Sequence, residues 1–205
     1  MKKLIAAIIV AAVFWFVMFS PWTSPYCNFW IVMAIAAGVL MAFSFAFGKK
    51  WRIQFSFNIW DVALGVGSAI ILWVIFYVGN EISGMLFDFA RPQVNDVYAM
   101  KDGQSPVALT LALLFWIGPA EEIFWRGFVQ RTLKESKLGD MKAFIITTII
   151  YAVVHIWAFN FMLFMAALIC GAFWGFVYMK NRSLSTVIIS HAIWDVAVFI
   201  LFPIS

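Results

Sequence analysis

About seven stretches of this chain are apolar and nearly free of charge: 4–19, 29–47, 62–78, 107–128, 143–159, 161–179 and 186–203. A helix crosses the hydrocarbon core of a bilayer with roughly 20 such residues. Lipid offers the backbone no hydrogen-bond partners, so each run must satisfy its own N–H and C=O groups, as a helix does. The expected fold is therefore all-α, a polytopic membrane helix bundle of about seven transmembrane helices (six to eight). Composition agrees: the chain is 65% hydrophobic and 12% charged, against about 25% charged in soluble domains. The 205 residues read as a single membrane domain. No polar stretch is long enough for a soluble domain or a nucleic-acid module, so no nucleic-acid partner is expected. The lipid bilayer is the partner that composition implies.

The placement of charge sets the orientation. Lys2 and Lys3 precede the first run; Lys49, Lys50 and Arg52 follow the second. Arg131, Lys134, Lys137 and Lys142 follow the fourth, and Lys180 and Arg182 the sixth. With a cytoplasmic N-terminus all of these are cytoplasmic. Arg91 and Lys101 fall on the other side, in a connection over 79–106 that also holds Glu81, Asp88, Asp96 and Asp102. That is a positive-inside pattern, expected of a multi-pass protein of the cell membrane. The first run follows two lysines like a signal peptide but lacks a small-residue cleavage site, and reads as an uncleaved span. In the 79–106 connection, the start could extend span three past the membrane surface, and Pro92 is expected to stop any helix. The two cysteines give no disulfide framework: Cys27 lies in a loop, and Cys170 reads as a free, membrane-facing thiol.

Small residues mark close helix approach. Gly171 and Gly175 form a GxxxG, and Gly65, Gly67 and Ala69 lie together in span three; both sets read as intramolecular packing. The 11 Trp and 23 Phe read mostly as lipid-facing or interfacial bulk.

Against this background a few polar residues stand out. Both histidines of the chain, His155 and His191, lie inside apolar runs. So do Glu121, Glu122, Arg126 and Asp195, with Asp61 at an edge. Each such charge costs at least about 2.5–3.5 kcal/mol in a bilayer, so an intramembrane set of them points to function. On helices, Glu122 with Arg126, Tyr151 with His155, and His191 with Asp195 are each i and i+4 and share a face. At about 1.5 Å per residue, Glu121 and His191 lie nearer the cytoplasmic side and His155 deeper. Pro119 should kink the fourth span and free a carbonyl. Together these features suggest a wet cavity open to the cytoplasm. Taken singly, Glu122–Arg126 reads as a structural ion pair and Asp195 as an acceptor that orients His191.

These residues resemble the CPBP family of CAAX-processing and bacteriocin-processing intramembrane endopeptidases, also called the Abi family. Its EExxxR motif is matched by Glu121, Glu122 and Arg126. Its FxxxH motif is matched by Tyr151 and His155, with tyrosine for phenylalanine. Its HxxxN/D motif is matched by His191 and Asp195. The order and spacing agree across 107–204, which reads as a catalytic-type core; residues 1–106 carry no recognised motif.

The resemblance implies hydrolysis of a peptide bond in a membrane-associated protein or peptide. It implies Glu121 as the base that activates water, His155 as its helper, and His191 and Asp195 as stabilisers of the oxyanion. Glu122, Arg126 and Tyr151 would support them. Amide hydrolysis needs an activated water, charge stabilisation and an acid for the leaving amine. No serine or cysteine is placed as a nucleophile; Ser190 adjoins His191, but adjacent helical residues do not face each other. Two schemes remain open: a glutamate scheme that requires no cofactor, and a metal scheme in which Glu121, His155 and His191 hold one Zn ion. Two other functions stand beside the enzyme: a non-catalytic membrane interaction protein of this fold, such as a bacteriocin self-immunity factor, and a proton-coupled carrier. A carrier fits poorly, since no inverted repeat is visible. Oligomeric state and substrate identity are not encoded in any motif.

Overall fold

The computed structural model describes residues 1–48, 54–55 and 57–204, and those residues contain helices and no strand. The first two spans form a hairpin. Helix α1 (Lys2–Phe19) turns through a single 3₁₀ turn (Ser24–Tyr26) into α2 (Phe29–Phe47), where the Asn28 side chain caps the helix by accepting from Ile31 N–H. Helix α3 (Ile59–Leu86) starts with a reciprocal cap between Asn58 and Asp61. Its 28 residues span about 42 Å, so the third span continues as helix into the start of the 79–106 connection.

Pro92 does not stop a helix. It lies in the first turn of α4 (Ala90–Ala99), where a missing N–H costs nothing because first-turn donors have no intrahelical acceptor.

The fourth span, α5, runs over 106–133 behind the Ser105 cap. It alternates α-helical segments with wide π turns at Leu113–Ile117 and Ile123–Gln130. The disturbance expected at Pro119 takes this form: Gly118 N–H donates to Leu113 O, one residue further back than in an α-helix. Ser136 and Lys137 then leave helical geometry, and Lys137 and Gly139 both take positive φ near +75°. The chain doubles back there into α6 (Gly139–Val153), which ends in a 3₁₀ turn (Val154–Ala158). Helix α7 (Phe161–Asn181) and α8 (Leu184–Val196, continued by a π turn Ala197–Leu201) complete the bundle. Among the described residues six stretches are long and apolar enough to cross a membrane; the longest, Pro106–Ala158, is the folded-back pair α5–α6. Counting that pair as two crossings gives the expected seven.

Helix α8 is the axis of the bundle, buried along most of its length. Thr186 Oγ1 donates to Asp61 Oδ1 at 2.9 Å and Ser68 Oγ to Ser190 Oγ at 2.9 Å, tying α3 to α8. Gly118 lets α5 approach: a Cβ there would lie 3.2 Å from the Ala192 backbone of α8 and 3.0 Å from Leu113 O. The GxxxG packs within the chain, since a Cβ on Gly171 would meet Tyr151 at 3.1 Å and one on Gly175 would meet Phe144 at 3.0 Å, both on α6. At one end of the bundle Asp140 receives Lys134 at 2.6 Å and Arg182 at 2.8 Å, joining two of the cationic connections. Lys2, Lys3 and Arg131 share a cleft at that end. Lys49, Lys50 and Arg52 lie outside the described residues.

Candidate active site

Five residues singled out by the sequence line one cavity of about 400 Å³: Glu121 from α5, Tyr151 and His155 from the end of α6, and His191 and Asp195 from α8. Glu122 and Arg126 do not line it. They lie behind, 0% and 1% exposed, and hold the wall together.

The wall is built around one oxygen. Glu122 Oε1 accepts from Arg126 Nη1 at 2.8 Å and from His191 Nδ1 at 2.7 Å. Arg126 Nη2 donates onward to the carbonyls of Cys170 and Gly171, each at 3.3 Å. The guanidinium lies over the rings of Tyr151 (5.0 Å) and Trp174 (5.6 Å). A buried charge is tolerated when it is paired and hydrogen-bonded in this way. His191 also stacks on Trp174, with ring centroids 3.8 Å apart, and its Nε2 faces Asp195 Oδ2 at 3.4 Å. The contact expected with Asp195 is present, and Glu122 adds a second, shorter one on the other ring nitrogen.

Glu121 is set apart from this network. Its Oε2 accepts the Tyr151 hydroxyl at 3.1 Å. The tyrosine that replaces phenylalanine in the second motif therefore has a use, since phenylalanine could not make this bond. His155 has both ring nitrogens engaged: Nδ1 lies 2.8 Å from Tyr151 O, and Nε2 is 3.0 Å from Trp15 Nε1. A carbonyl and an indole N–H admit only one tautomer, with the proton on Nδ1 and the Nε2 lone pair accepting from Trp15. This bears on the metal scheme. A ligating histidine must offer a free lone pair, and His155 offers none in this arrangement. Among the described residues no three His, Cys, Asp or Glu side chains are grouped so as to hold an ion.

The cavity extends from Glu121 away from the cationic connections. It is lined by Val94, Val97, Tyr98 and Met100 of α4 and its exit, and by the far half of α3. These lie at the end of the bundle opposite the N-terminus and the cationic connections. The inner side of Glu121 is closed because every residue of the π segment Ile123–Gln130 is buried. Gln130 seals it further by donating to Gly175 O at 3.0 Å. Depth along the helix placed Glu121 near the cationic end, but side-chain packing closes that route.

Sequence reasoning missed several contributors. Trp15, Trp125 and Trp174 are among the largest fully buried side chains, not lipid-facing bulk. Trp15 belongs to a span without motifs, and nothing in its local sequence marks it. Cys170 is buried, free and part of the cavity wall, not membrane-facing. The Ser190 hydroxyl accepts from Trp174 Nε1 at 3.1 Å and from Ser68, so it braces the helices beside His191.

Fold and site together define a multi-pass helical membrane protein whose interior holds a carboxylate, two imidazoles and a buried ion pair beside a cavity. Residues 103–197, just under half of the chain, match the family model described as type II CAAX prenyl endopeptidase Rce1-like. No curated protein and no solved structure matches the chain.

Proposed function

We propose that this chain is an intramembrane endopeptidase that hydrolyses a peptide bond of a membrane-associated protein or peptide with a water activated by Glu121. The observation that carries this reading is the pairing of an apolar cavity with Glu121, His191 and Asp195 on its wall. Glu121 has one carboxylate oxygen held by Tyr151, which leaves the other for a water. Glu121 takes the proton of that water as it attacks the carbonyl carbon, and passes it to the leaving amine. His191, held by Glu122 and stacked on Trp174, supplies positive character toward the developing oxyanion. Asp195 keeps the His191 ring in register. His155 shapes the wall through Tyr151 and Trp15, and its help to Glu121 runs through Tyr151, which both residues contact.

The reading requires no cofactor. With a cytoplasmic N-terminus, the protein sits in the cell membrane and its cavity faces the outer side. The engagement of both His155 nitrogens favours a second reading, a non-catalytic member of the fold that binds a membrane peptide.

The test is reconstitution in proteoliposomes with membrane-spanning and secreted peptides, comparing the native chain, Glu121→Gln, and the native chain in chelator. Cleavage by the native chain that survives chelator and disappears in Glu121→Gln is expected. Cleavage undiminished in Glu121→Gln would overturn the glutamate role. Peptide binding without any cleavage would favour the second reading.

A further inference from the structure

Asn80 is a polar side chain that the motifs leave unexplained. It lies in the far half of α3, is 8% exposed and lines the same cavity. Its main-chain carbonyl accepts the Ser83 hydroxyl at 3.1 Å, but its carboxamide bonds to no described residue. Nor is the amide shut off as Gln54 Nε2 and Trp194 Nε1 are; it borders the cavity space. A buried amide with no partner costs about 1–3 kcal/mol, and a primary amide in an apolar wall is a costly choice unless something fills its valences.

Its position is fixed. Asp61 and Ser68 tie α3 to α8. Phe76, one turn before Asn80, packs its ring on Trp194, next to Asp195, with centroids 4.7 Å apart. Asn80 therefore stands about 6 Å outward of the level of the imidazole and carboxylates. The wall around it is apolar, with Ile75, Phe87, Met162 and Val198.

We propose that Asn80 is a substrate-positioning residue that pairs with one backbone peptide unit of an extended apolar peptide, a helical turn outward of the bond to be cut. A carboxamide carries a donor and an acceptor side by side on one plane, the complement of the C=O and N–H that a peptide backbone displays. A carboxylate or an ammonium would match only one of them. The inference rests on the endopeptidase reading for its scissile bond, but the pairing itself can be tested without cleavage.

The full-length Glu121→Gln chain in nanodiscs is titrated with a fluorescein-labelled peptide of alternating leucine and alanine, alone and combined with Asn80→Leu. One backbone pairing corresponds to about a tenfold change in Kd, and that weakening is expected. A peptide N-methylated at a single residue should lose a similar factor at one register and then be indifferent to Asn80→Leu. Asn80→Leu should melt no lower than its parent, since only an unpartnered amide is removed, and Asn80→Ala provides a smaller second variant. Affinity equal to the parent's in both Asn80 variants, or no binding to the parent, overturns the proposal. On the otherwise native chain, cleavage with unchanged KM in Asn80→Leu would remove the Asn80 role and leave the endopeptidase. Asn80-dependent binding with no cleavage by the native chain would do the reverse.

Discussion

Trp15 donates its indole N–H to His155 Nε2 at 3.0 Å, across 140 positions of sequence. The bond ties the motif-free first span to the second motif. It explains why a fully buried tryptophan occupies a helix that otherwise needs only to be apolar, and it makes α1 part of the site rather than an anchor beside it.

Trp15→Phe keeps the packing and removes the donor. Loss of one buried hydrogen bond should lower stability by about 1 kcal/mol, whereas Trp15→Ala, which also opens a cavity, should cost about 3–5 kcal/mol. The chain has two histidines, so ¹⁵N spectra of histidine-labelled protein can report each ring. His155 is expected as the Nδ1–H tautomer in the native chain, with its Nε2 resonance shifted in Trp15→Phe and unchanged in a distant variant such as Gly67→Ala.

The two adjacent glutamates should respond differently to the same change. Glu122→Gln removes the charge that pairs Arg126 at 1% exposure, and stranding a buried charge costs about 3–5 kcal/mol. Glu121→Gln retains an acceptor for Tyr151 and should change stability by less than about 1 kcal/mol while abolishing cleavage. Thermal unfolding in detergent alongside the cleavage assay separates the two effects. Equal destabilisation by both would contradict the division of roles.

Gly118→Ala should push α5 away from α8, because its Cβ would meet the Leu113 carbonyl at 3.0 Å and the Ala192 backbone at 3.2 Å. Overpacking of this kind costs about 1–3 kcal/mol. Gly67→Ala meets nothing within 4 Å and should be neutral or slightly stabilising. The unfolding temperatures of the pair provide the check.

Asp140 lies at the cationic end, and the Lys134 and Arg182 groups that bond it hold its carboxyl below the ordinary aspartate value. A depressed carboxyl contributes stability that is present above the unfolded value, near about 3.9, and is lost as pH falls through the folded one. The pair is largely exposed, so the contribution should stay under about 1 kcal/mol and fade in salt. Unfolding of Asp140→Asn should therefore match the native chain at acid pH and fall slightly below it near neutrality at low ionic strength.

The helical class, the span count and the family resemblance were legible because they rest on run length, charge placement and i, i+4 spacing, all of which are local. The three motif helices do place Glu121, His155, His191 and Asp195 on one cavity wall. What local pattern could not reveal was which neighbour each side chain selects. Spacing pairs His191 with Asp195, but the shorter contact is to Glu122, 69 residues away in sequence. Trp15 and Asn80 carried no signal, since one tryptophan among eleven and one amide at a helix end look unremarkable until the helices are packed. The direction in which the cavity extends from Glu121 was hidden for a related reason. Depth counted along α5 ignores the aromatic and aliphatic bulk of Ile123–Gln130, which fills the cationic end.

That closed segment gives the cavity the form of a well rather than a channel. Behind its wall Glu122, Arg126 and Gln130 are buried and hydrogen-bonded within the bundle. On the proposed reading, a peptide bond would be attacked on one side of that wall without the cationic side being opened to it.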